Sequence, residues 1–371
     1  LKEKFMSEPF DADKLIVSWV RELSPYVPGE QPQIQGWVKL NTNENPYPAS
    51  PKIAQTIQEQ MDLLRLYPEP TSQALRSAIA KQFDLSSDQV IIGNGSDNIL
   101  DMITRSFVGL GQAGHTVPSY SLYPVVVALS GGDLLNIPFE ESMELPVDAI
   151  AKTPASVFFL TNPNAPTGVC FSLESIEAIL KKIKGILVVD EAYIDFGGQS
   201  AIPLLQTYDN LVVVQTFSKS YSLAGLRVGY ALASSKIIQV LDRVRDAYNV
   251  DRIAQSFAQV ALEDRSHFKA NCEKIIQTRS QSEAFFKSLD WFTYPSSANF
   301  LFTQPKDAQG ATGSEVAVSL FEYLKSKHIL VRYFGSHPLT CSFLRVSIGT
   351  DNQMKTLNEG IESWLKQEPQ N

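Results

Sequence analysis

This 371-residue chain is poor in the residues that bind structural metals and form disulfides. It has three cysteines, Cys170, Cys272 and Cys341, with no CxxC spacing, and four histidines with no ligand spacing. Disulfides and structural zinc are therefore not expected, and no metal site is predicted. Cysteines that stay reduced and pack in the core are typical of a cytoplasmic protein.

The chain also lacks an excess of basic residues and a long apolar run. Its 32 Lys and Arg are outnumbered by 40 Asp and Glu, which gives a net charge of −8. Nucleic acids and anionic membranes need a basic face, so neither is expected as a main partner. No apolar run reaches the length of a membrane span, and residues 1–5 (Leu-Lys-Glu-Lys-Phe) lack the apolar stretch of a signal peptide.

Short Val- and Ile-rich runs alternate with amphipathic helical patterns along the first two thirds of the chain. The apolar runs predict strands at 90–92, 157–160, 186–189, 211–214 and 227–233. The helical patterns lie at 71–83, 96–108, 123–129 and 172–183. Because strands this apolar are buried on both faces, the sequence predicts an α/β fold with a largely parallel sheet.

The pattern changes near residue 255 to a long helical region with short strands at 299–302, 329–332 and 343–348. A chain of this length is expected to form two domains. We expect a large domain at 45–265 and a smaller α+β domain at 266–371, which also takes in an N-terminal arm at 1–44. The arm begins with a short helix near residues 13–20.

Lys219 follows the apolar run at 211–214 and lies between two serines, with Arg227 shortly after. A lysine at a strand end can form a Schiff base with an aldehyde, and hydroxyls and an arginine can hold a phosphate beside it. An aldehyde and a phosphate together describe pyridoxal phosphate. Most lysines are solvated surface groups, so Lys219 alone does not establish a site.

Asp190 ends another apolar run, where a buried carboxylate is costly unless it has a partner. The pyridine nitrogen of pyridoxal phosphate is such a partner, and the carboxylate keeps it protonated so that the ring withdraws electrons. Tyr193, three residues further on, can reach the phenolic oxygen of the ring. The alternatives are a structural ion pair, a helix cap or a metal-binding acid.

Two more polar segments follow predicted strands, where the sites of open α/β sheets gather. Residues 93–97 (Gly-Asn-Gly-Ser-Asp) precede a helix, so their amides can bind an anion or form a simple capped turn. Residues 161–168 (Thr-Asn-Pro-Asn-Ala-Pro-Thr-Gly) offer Asn162 and Asn164 as donors to a ring oxygen, or form a rigid connector.

Arg345 lies inside the predicted strand at 343–348, between two apolar neighbours. A strand-buried arginine needs an anion. A substrate carboxylate or phosphate can bind it bidentately, and an internal salt bridge is the alternative.

Taken in order, these segments resemble the fold-type I aminotransferases that use pyridoxal phosphate, over about residues 20–365. The N-terminal part resembles the histidinol-phosphate aminotransferase family, through residues 20–29 (Val-Arg-Glu-Leu-Ser-Pro-Tyr-Val-Pro-Gly) and 39–48 (Lys-Leu-Asn-Thr-Asn-Glu-Asn-Pro-Tyr-Pro). Residues 66–70 and 118–123 match as well. The resemblance implies a large domain with a mostly parallel seven-stranded sheet between helices, plus a smaller α+β domain.

The resemblance also implies a role for each matching residue. Lys219 becomes the Schiff-base lysine and proton shuttle, Asp190 the partner of the ring nitrogen, and Tyr193 the partner of the ring oxygen. Tyr120 stacks on the ring. The implied phosphate ligands are Gly95, Ser96, Asp97, Ser218, Arg227 and, from the other subunit of a homodimer, Tyr67. Those facing the substrate anion are Tyr26, Arg332 and Arg345.

The implied reaction is transamination of L-histidinol phosphate with 2-oxoglutarate, which gives imidazole acetol phosphate and L-glutamate in histidine biosynthesis. An aromatic amino-acid aminotransferase and a threonine-phosphate decarboxylase are alternatives on the same fold. A non-catalytic binding protein of this fold is a third, but Lys219, Asp190 and Arg227 together argue against it.

The chain departs from the family pattern at two places. The family has an asparagine before Pro-Thr-Gly, where this chain has Ala165. Residues 111–117 (Gly-Gln-Ala-Gly-His-Thr-Val) predict only a weak strand before Tyr120. The position of Tyr120 depends on whether that strand forms.

Overall fold

The computed structural model describes residues 10–26, 28–32 and 36–367, so residues 1–5 lie outside it. Its helices are α1 Ser18–Arg21, α2 Ile53–Met61, α3 Gln73–Gln82, α4 Gly95–Ile103, α5 Tyr123–Leu129, α6 Val147–Ala151, α7 Leu173–Leu180, α8 Ser235–Val244, α9 Arg252–Glu263, α10 Arg265–Ser288, α11 Ser314–Ser326 and α12 Asp351–Leu365. Its strands are β1 Val38–Lys39, β2 Val90–Asn94, β3 Gln112–Val117, β4 Asp133–Pro138, β5 Val157–Thr161, β6 Ile186–Asp190, β7 Leu211–Thr216, β8 Val228–Ala233, β9 Phe292–Thr293, β10 Phe300–Gln304, β11 Ile329–Leu330, β12 Arg332–Tyr333 and β13 Leu344–Ser347.

A seven-stranded sheet forms the centre of the molecule, in the order β2-β8-β7-β6-β5-β3-β4. All neighbours are parallel except β8, which runs antiparallel to both β2 and β7. The mostly parallel sheet that the sequence predicts is confirmed. Since β5, β6 and β7 run in the same direction, the polar residues at their carboxyl ends meet at one edge.

The sheet is buried on both faces. Along β7, Val213 packs into one apolar cluster, while Val212 and Val214 pack into a second cluster on the other side. Helices therefore cover both faces, which explains why these strands have no alternating polar residues. The same rigid core fixes the residues that immediately follow β6 and β7.

A second, four-stranded antiparallel sheet has the order β12-β13-β10-β9. Next to it, β1 of the N-terminal arm pairs in parallel with β11. This pairing joins the arm to the C-terminal part of the chain, and we propose domain limits at residues 44 and 265 on that basis.

Three local predictions need adjustment. The helix expected near 13–20 is divided into a 3-10 turn at Ala12–Leu15 and the short α1. The strand expected at 329–332 is divided between β11 and β12, which belong to different sheets. The doubtful strand before Tyr120 does form, as β3. Gly114 permits this, because a Cβ there would lie 2.6 Å from Cδ2 of Phe158 on the adjacent strand.

Within the described part of the chain, no helix combines the length and apolar character needed to cross a membrane. The same residues contain no group of three or more His, Cys, Asp or Glu that could hold a metal ion.

Candidate active site

A cavity of about 450 Å³ opens at the carboxyl ends of the central strands. Most of the site residues predicted from the sequence line it: Tyr26, Ser96, Asp97, Tyr120, Asp190, Tyr193, Ser218, Lys219, Arg227, Arg332 and Arg345. They come from segments far apart in the chain. The sheet brings them together because its parallel strands end at the same edge.

Lys219 lies in the turn after β7 and extends its amine into the cavity. The Nζ atom donates a hydrogen bond of 3.1 Å to the carbonyl oxygen of Thr42 and lies 5.7 Å from the ring centre of Tyr193. Among the described residues no acidic side chain forms an ion pair with this amine. The lysine therefore faces the cavity without a carboxylate that would hold it in place.

Asp190, the last residue of β6, is 3% exposed. Its carboxylate accepts hydrogen bonds from the Tyr123 hydroxyl at 2.9 Å and from the backbone amide of Ala192 at 3.2 Å. Burial raises the pKa of Asp190 to about 6, since no cation among the described residues offsets the loss of water. The cavity thus contains a buried carboxylate with no positive partner in the described part of the chain.

Tyr193 has its hydroxyl oriented by Asn43. The Asn43 amide nitrogen donates to the Tyr193 oxygen at 3.1 Å, and the Asn43 amide oxygen accepts from the Ser347 hydroxyl at 2.8 Å. Because Tyr193 accepts the bond from Asn43, its own proton remains available for a ligand in the cavity.

Arg227 precedes β8, and its side chain lies against the start of α4, where the chain makes a close turn. Gly95 has a φ of +78°, and a Cβ there would lie 2.6 Å from Nη2 of Arg227. The guanidinium reaches Ser218 Oγ at 3.4 Å and Asp97 Oδ2 at 3.0 Å. A helix N-terminus, a hydroxyl and an arginine therefore converge on one end of the cavity, a combination that binds phosphate.

Tyr120 closes one side of the cavity. Its hydroxyl donates to Asp97 Oδ1 at 3.2 Å, and its ring makes an edge contact with Tyr26 at a centroid distance of 6.4 Å. Burial raises the pKa of Tyr120 far above its ordinary range, so the hydroxyl stays neutral. The hydrogen bond and the edge contact together fix the position of the ring on the cavity wall.

Arg332 and Arg345 lie at the other end of the cavity, directly opposite each other on β12 and β13. Arg345 donates to the Asn41 carbonyl at 3.0 Å, while its buried Nε has no partner. Burial, and then the charge of Arg332, lower the pKa of Arg345. Two like charges in this position repel each other, so the pair is suited to bind an anion between them.

The structure does not place Asn162 and Asn164 on the cavity wall. The Asn162 side chain bonds to the backbone of Phe171, and that of Asn164 bonds to Pro118 and Thr167. The loop uses both amides to stabilise itself, and neither residue lines the cavity in this structure. Ala165 lines the cavity beside them.

Tyr67 is also outside the cavity. It is 77% exposed and stacks on Tyr248 at a centroid distance of 4.7 Å. A large aromatic pair on the surface is consistent with a position at a subunit contact.

Two further residues, Tyr123 and Asn43, hydrogen-bond Asp190 and Tyr193 and are not among the site residues predicted from the sequence. A signal for Tyr123 exists, because a buried strand-end acid needs donors and Tyr123 lies one helical turn after Tyr120. The other unassigned wall residues include Thr42, His115, Ser119, Thr161, Phe334, His337 and Thr340.

Comparison with known proteins gives concordant matches. A family model described as aminotransferase class I and II matches residues 35–361. Over 357 residues the chain is 44% identical to histidinol-phosphate aminotransferase of Acinetobacter baylyi, covering 93% of this chain and 96% of the relative. The corresponding protein of Microcystis aeruginosa is 40% identical over 344 residues, covering 92% and 96%.

Among solved structures, histidinol-phosphate aminotransferase from Sinorhizobium meliloti in complex with pyridoxal-5'-phosphate matches with a TM-score of 0.84. The sequence identity is 26%, and the match covers 94% of this chain and 98% of that one. From the family model and from relatives at 40% identity or more, the chain belongs to the aminotransferase class I and II family, among the histidinol-phosphate aminotransferases.

Proposed function

We propose that this protein is a transaminase dependent on pyridoxal phosphate, which transfers the amino group of L-histidinol phosphate to 2-oxoglutarate. The products are imidazole acetol phosphate and L-glutamate, and the pathway is histidine biosynthesis. The observation that carries the proposal is a single cavity with Lys219 and Asp190 at one end and the arginine pair Arg332 and Arg345 at the other.

The residues present fit the cofactor. Asp190 is a buried carboxylate without a cation among the described residues, and a protonated pyridine nitrogen supplies one. At the phosphate end, a Cβ on Gly229 would lie 2.4 Å from the Ser96 nitrogen, so the absence of a side chain keeps the start of α4 in place. Gly95, Ser96, Asp97, Ser218 and Arg227 would hold the phosphate, and Tyr120 would stack on the ring.

When bound, pyridoxal phosphate supplies an aldehyde that takes up the amino group and a ring that withdraws electrons from the bond being broken. Asp190 holds the proton on the ring nitrogen. The Tyr193 hydroxyl, oriented by Asn43, donates to the ring oxygen. Lys219, whose amine hydrogen-bonds to the Thr42 carbonyl, would be free to remove the proton from the substrate Cα and to return it to the carbon on the other side of the transferred nitrogen.

Arg332 and Arg345, together with Tyr26, bind the anion of the substrate. The phosphate of histidinol phosphate occupies this end in one half-reaction, and a carboxylate of 2-oxoglutarate occupies it in the other. The planar guanidinium of Arg345 can pair bidentately with either group, whereas a lysine cannot.

The proposal includes a homodimer with shared sites. It is supported by the exposed pair Tyr67 and Tyr248 and by exposed apolar residues of the N-terminal arm, including Trp19 at 40% exposure. Tyr67 would reach the cofactor phosphate of the neighbouring subunit. We place the enzyme in the cytoplasm, where the three cysteines, all of them free, stay reduced.

A substrate panel tests the function. Purified enzyme is assayed with 2-oxoglutarate and, in turn, histidinol phosphate, phenylalanine, tyrosine, aspartate and threonine phosphate, with glutamate and CO₂ both measured. We expect the highest kcat/KM for histidinol phosphate, with glutamate formed and no CO₂. Preference for phenylalanine or tyrosine would assign an aromatic aminotransferase, and CO₂ from threonine phosphate would assign a decarboxylase.

A further inference from the structure

Tyr123 connects Asp190 to a row of hydroxyl groups. Its own hydroxyl lies 2.9 Å from Asp190 Oδ2 and 2.6 Å from Thr161 Oγ1, and Thr161 Oγ1 lies 3.1 Å from Ser119 Oγ. Thr161 and Asp190 are register partners on β5 and β6, so the sheet itself fixes their spacing. Ser119 and Thr161 both line the cavity, while Tyr123 is fully buried.

The number of available protons sets the direction of these bonds. An ionised Asp190 only accepts, so the single hydroxyl proton of Tyr123 is donated to Asp190. Thr161 then donates to the Tyr123 oxygen, and Ser119 donates to Thr161. Three hydroxyls therefore point the same way, towards the carboxylate, and each bond polarises the next.

The Tyr123 ring is held on several sides. It stacks on Phe159 at a centroid distance of 4.9 Å and an interplanar angle of 11°. Its contacts with Tyr120 and His115 are edge-on, at 5.6 Å and 6.0 Å. The hydroxyl is thus confined to one position, and the same ring touches the residue proposed to stack on the cofactor.

We propose that Tyr123 is a positioning residue that keeps Asp190 ionised and aimed at the cofactor nitrogen, so that the proton they share stays on the nitrogen. This proposal rests on the proposed cofactor. A hydrogen bond to the ionised carboxylate stabilises that form. Without the bond, the proton shifts from the ring nitrogen towards Asp190 Oδ2, and the ring withdraws electrons less strongly.

The test substitutes Tyr123→Phe, which keeps the ring and removes the hydroxyl. Wild type and variant are loaded with pyridoxal phosphate labelled with ¹⁵N at the ring nitrogen, and its NMR shift is recorded. In the variant we expect the signal to move towards the unprotonated position. The kcat should fall about tenfold, with KM for histidinol phosphate within about twofold.

Tyr208→Phe is a matched control, because Tyr208 donates a 2.9 Å hydrogen bond to Glu177 away from the cavity. It should leave the nitrogen signal and kcat unchanged. Thr161→Val gives a second test if Tyr123→Phe does not fold. It removes the donor to Tyr123 and should move the signal in the same direction by a smaller amount.

An unchanged nitrogen signal in a folded Tyr123→Phe or Thr161→Val variant would overturn the proposal, whatever the loss of stability. The readout does not require any substrate. If the nitrogen signal changes in the variant but the wild type has no activity on histidinol phosphate, the result would support the role of Tyr123 and reject the proposed substrate. A wild type that binds no cofactor would overturn both.

Discussion

Asp190 shows at the residue scale how burial and chemistry are linked in this protein. Its carboxylate is surrounded by apolar strands, and its described partners are one tyrosine hydroxyl and one backbone amide. Without the cofactor such a group lowers the stability of the folded protein, because burial disfavours the charged form. With a cationic ring nitrogen beside it, the same group becomes an ion pair.

Asp190→Asn should retain some cofactor but lose about a hundredfold or more in kcat/KM, since an amide cannot hold the ring nitrogen protonated. Steady-state kinetics with saturating cofactor measure this. Glu191→Gln is a matched control, because Glu191 is equally buried but bonds to Ser200, Ala201 and Gln215. An Asp190→Asn variant within threefold of wild type would exclude the assigned role.

The pH dependence of stability gives an independent test on protein without cofactor. The folded pKa of Asp190 is raised from 3.8 to about 6, so folding favours the protonated form. The resulting destabilisation develops as pH rises from about 4 to 6 and is complete above 6. The change in the Asp190 pKa from 3.8 to about 6 lowers the free energy of unfolding by about 3 kcal/mol at high pH.

Asp190→Asn should therefore be more stable than wild type without cofactor at pH 8, and the difference should shrink towards pH 4. Urea unfolding across this range compares the two proteins, and other carboxylates cancel in the difference. A difference that does not change with pH would mean that Asp190 does not titrate as described.

Arg345→Lys should lower kcat/KM for both histidinol phosphate and 2-oxoglutarate by about tenfold to a thousandfold, equivalent to roughly 1.4–4 kcal/mol. The change keeps the charge but removes the planar fork that pairs with both anions. A structural salt bridge predicts instead a lower melting temperature with near-normal kinetics. Measuring the melting temperature and both specificity constants separates the two roles.

At the scale of elements, the proposed phosphate site depends on how three segments pack together. These are β8, the start of α4 and the turn after β7. Gly229 lies on β8 against the first turn of α4, with no room for a side chain. Gly229→Ala should push this turn away and raise the dissociation constant for pyridoxal phosphate at least about tenfold, or about 1.4 kcal/mol.

The matched control is Gly225→Ala in the nearby 3-10 turn, where a Cβ would meet nothing within 4 Å. It should change the dissociation constant by less than about twofold. Cofactor titration by fluorescence, with circular dichroism to verify folding, compares the two variants. Equal affinities would show that the close packing of β8 on α4 does not shape the phosphate site.

The elements differ in how far the sequence predicts them. The strands β5, β6 and β7 have strong apolar signals because they are buried on both faces. The sequence does not predict the edge strand β4, since its residues are only partly buried or exposed and mix polar with apolar side chains. Helix α2 was missed as well, and its residues are mostly exposed.

The site residues likewise divide into those that the sequence predicts and those that it does not. Lys219, Asp190 and Arg345 stand at strand ends or inside strands, where a polar residue among apolar ones is conspicuous. Tyr123 and Asn43 could not be assigned because their contacts depend on tertiary packing between distant segments. The orientation of Asn162 and Asn164 is likewise set by hydrogen bonds within the folded loop, which spacing alone does not predict.

At the scale of the whole molecule, the proposed homodimer with shared sites predicts complementation between inactive subunits. Lys219→Ala and Tyr67→Ala should each abolish or nearly abolish activity. A mixed dimer then contains one site with both defects and one with neither. Activity should partly return after subunit exchange, measured by glutamate formation. Confirmed exchange without any recovery would argue against cross-subunit sites.

The chemical identity of the lysine can be checked on the intact enzyme. Borohydride treatment of the purified holoenzyme should fix the cofactor covalently to Lys219, and peptide mass spectrometry locates it. Lys219→Ala should remain folded and carry no such adduct. An adduct on another lysine would move the site elsewhere.

The ratio of kcat/KM for L-histidinol phosphate to that for L-histidinol, with 2-oxoglutarate as acceptor, tests the central claim most directly. The two donors differ only in the phosphate that Arg332 and Arg345 are proposed to bind. We predict a ratio of at least about one hundred, because histidinol leaves the arginine pair without its anion. A ratio near one, or a higher kcat/KM for phenylalanine than for histidinol phosphate, would contradict the account.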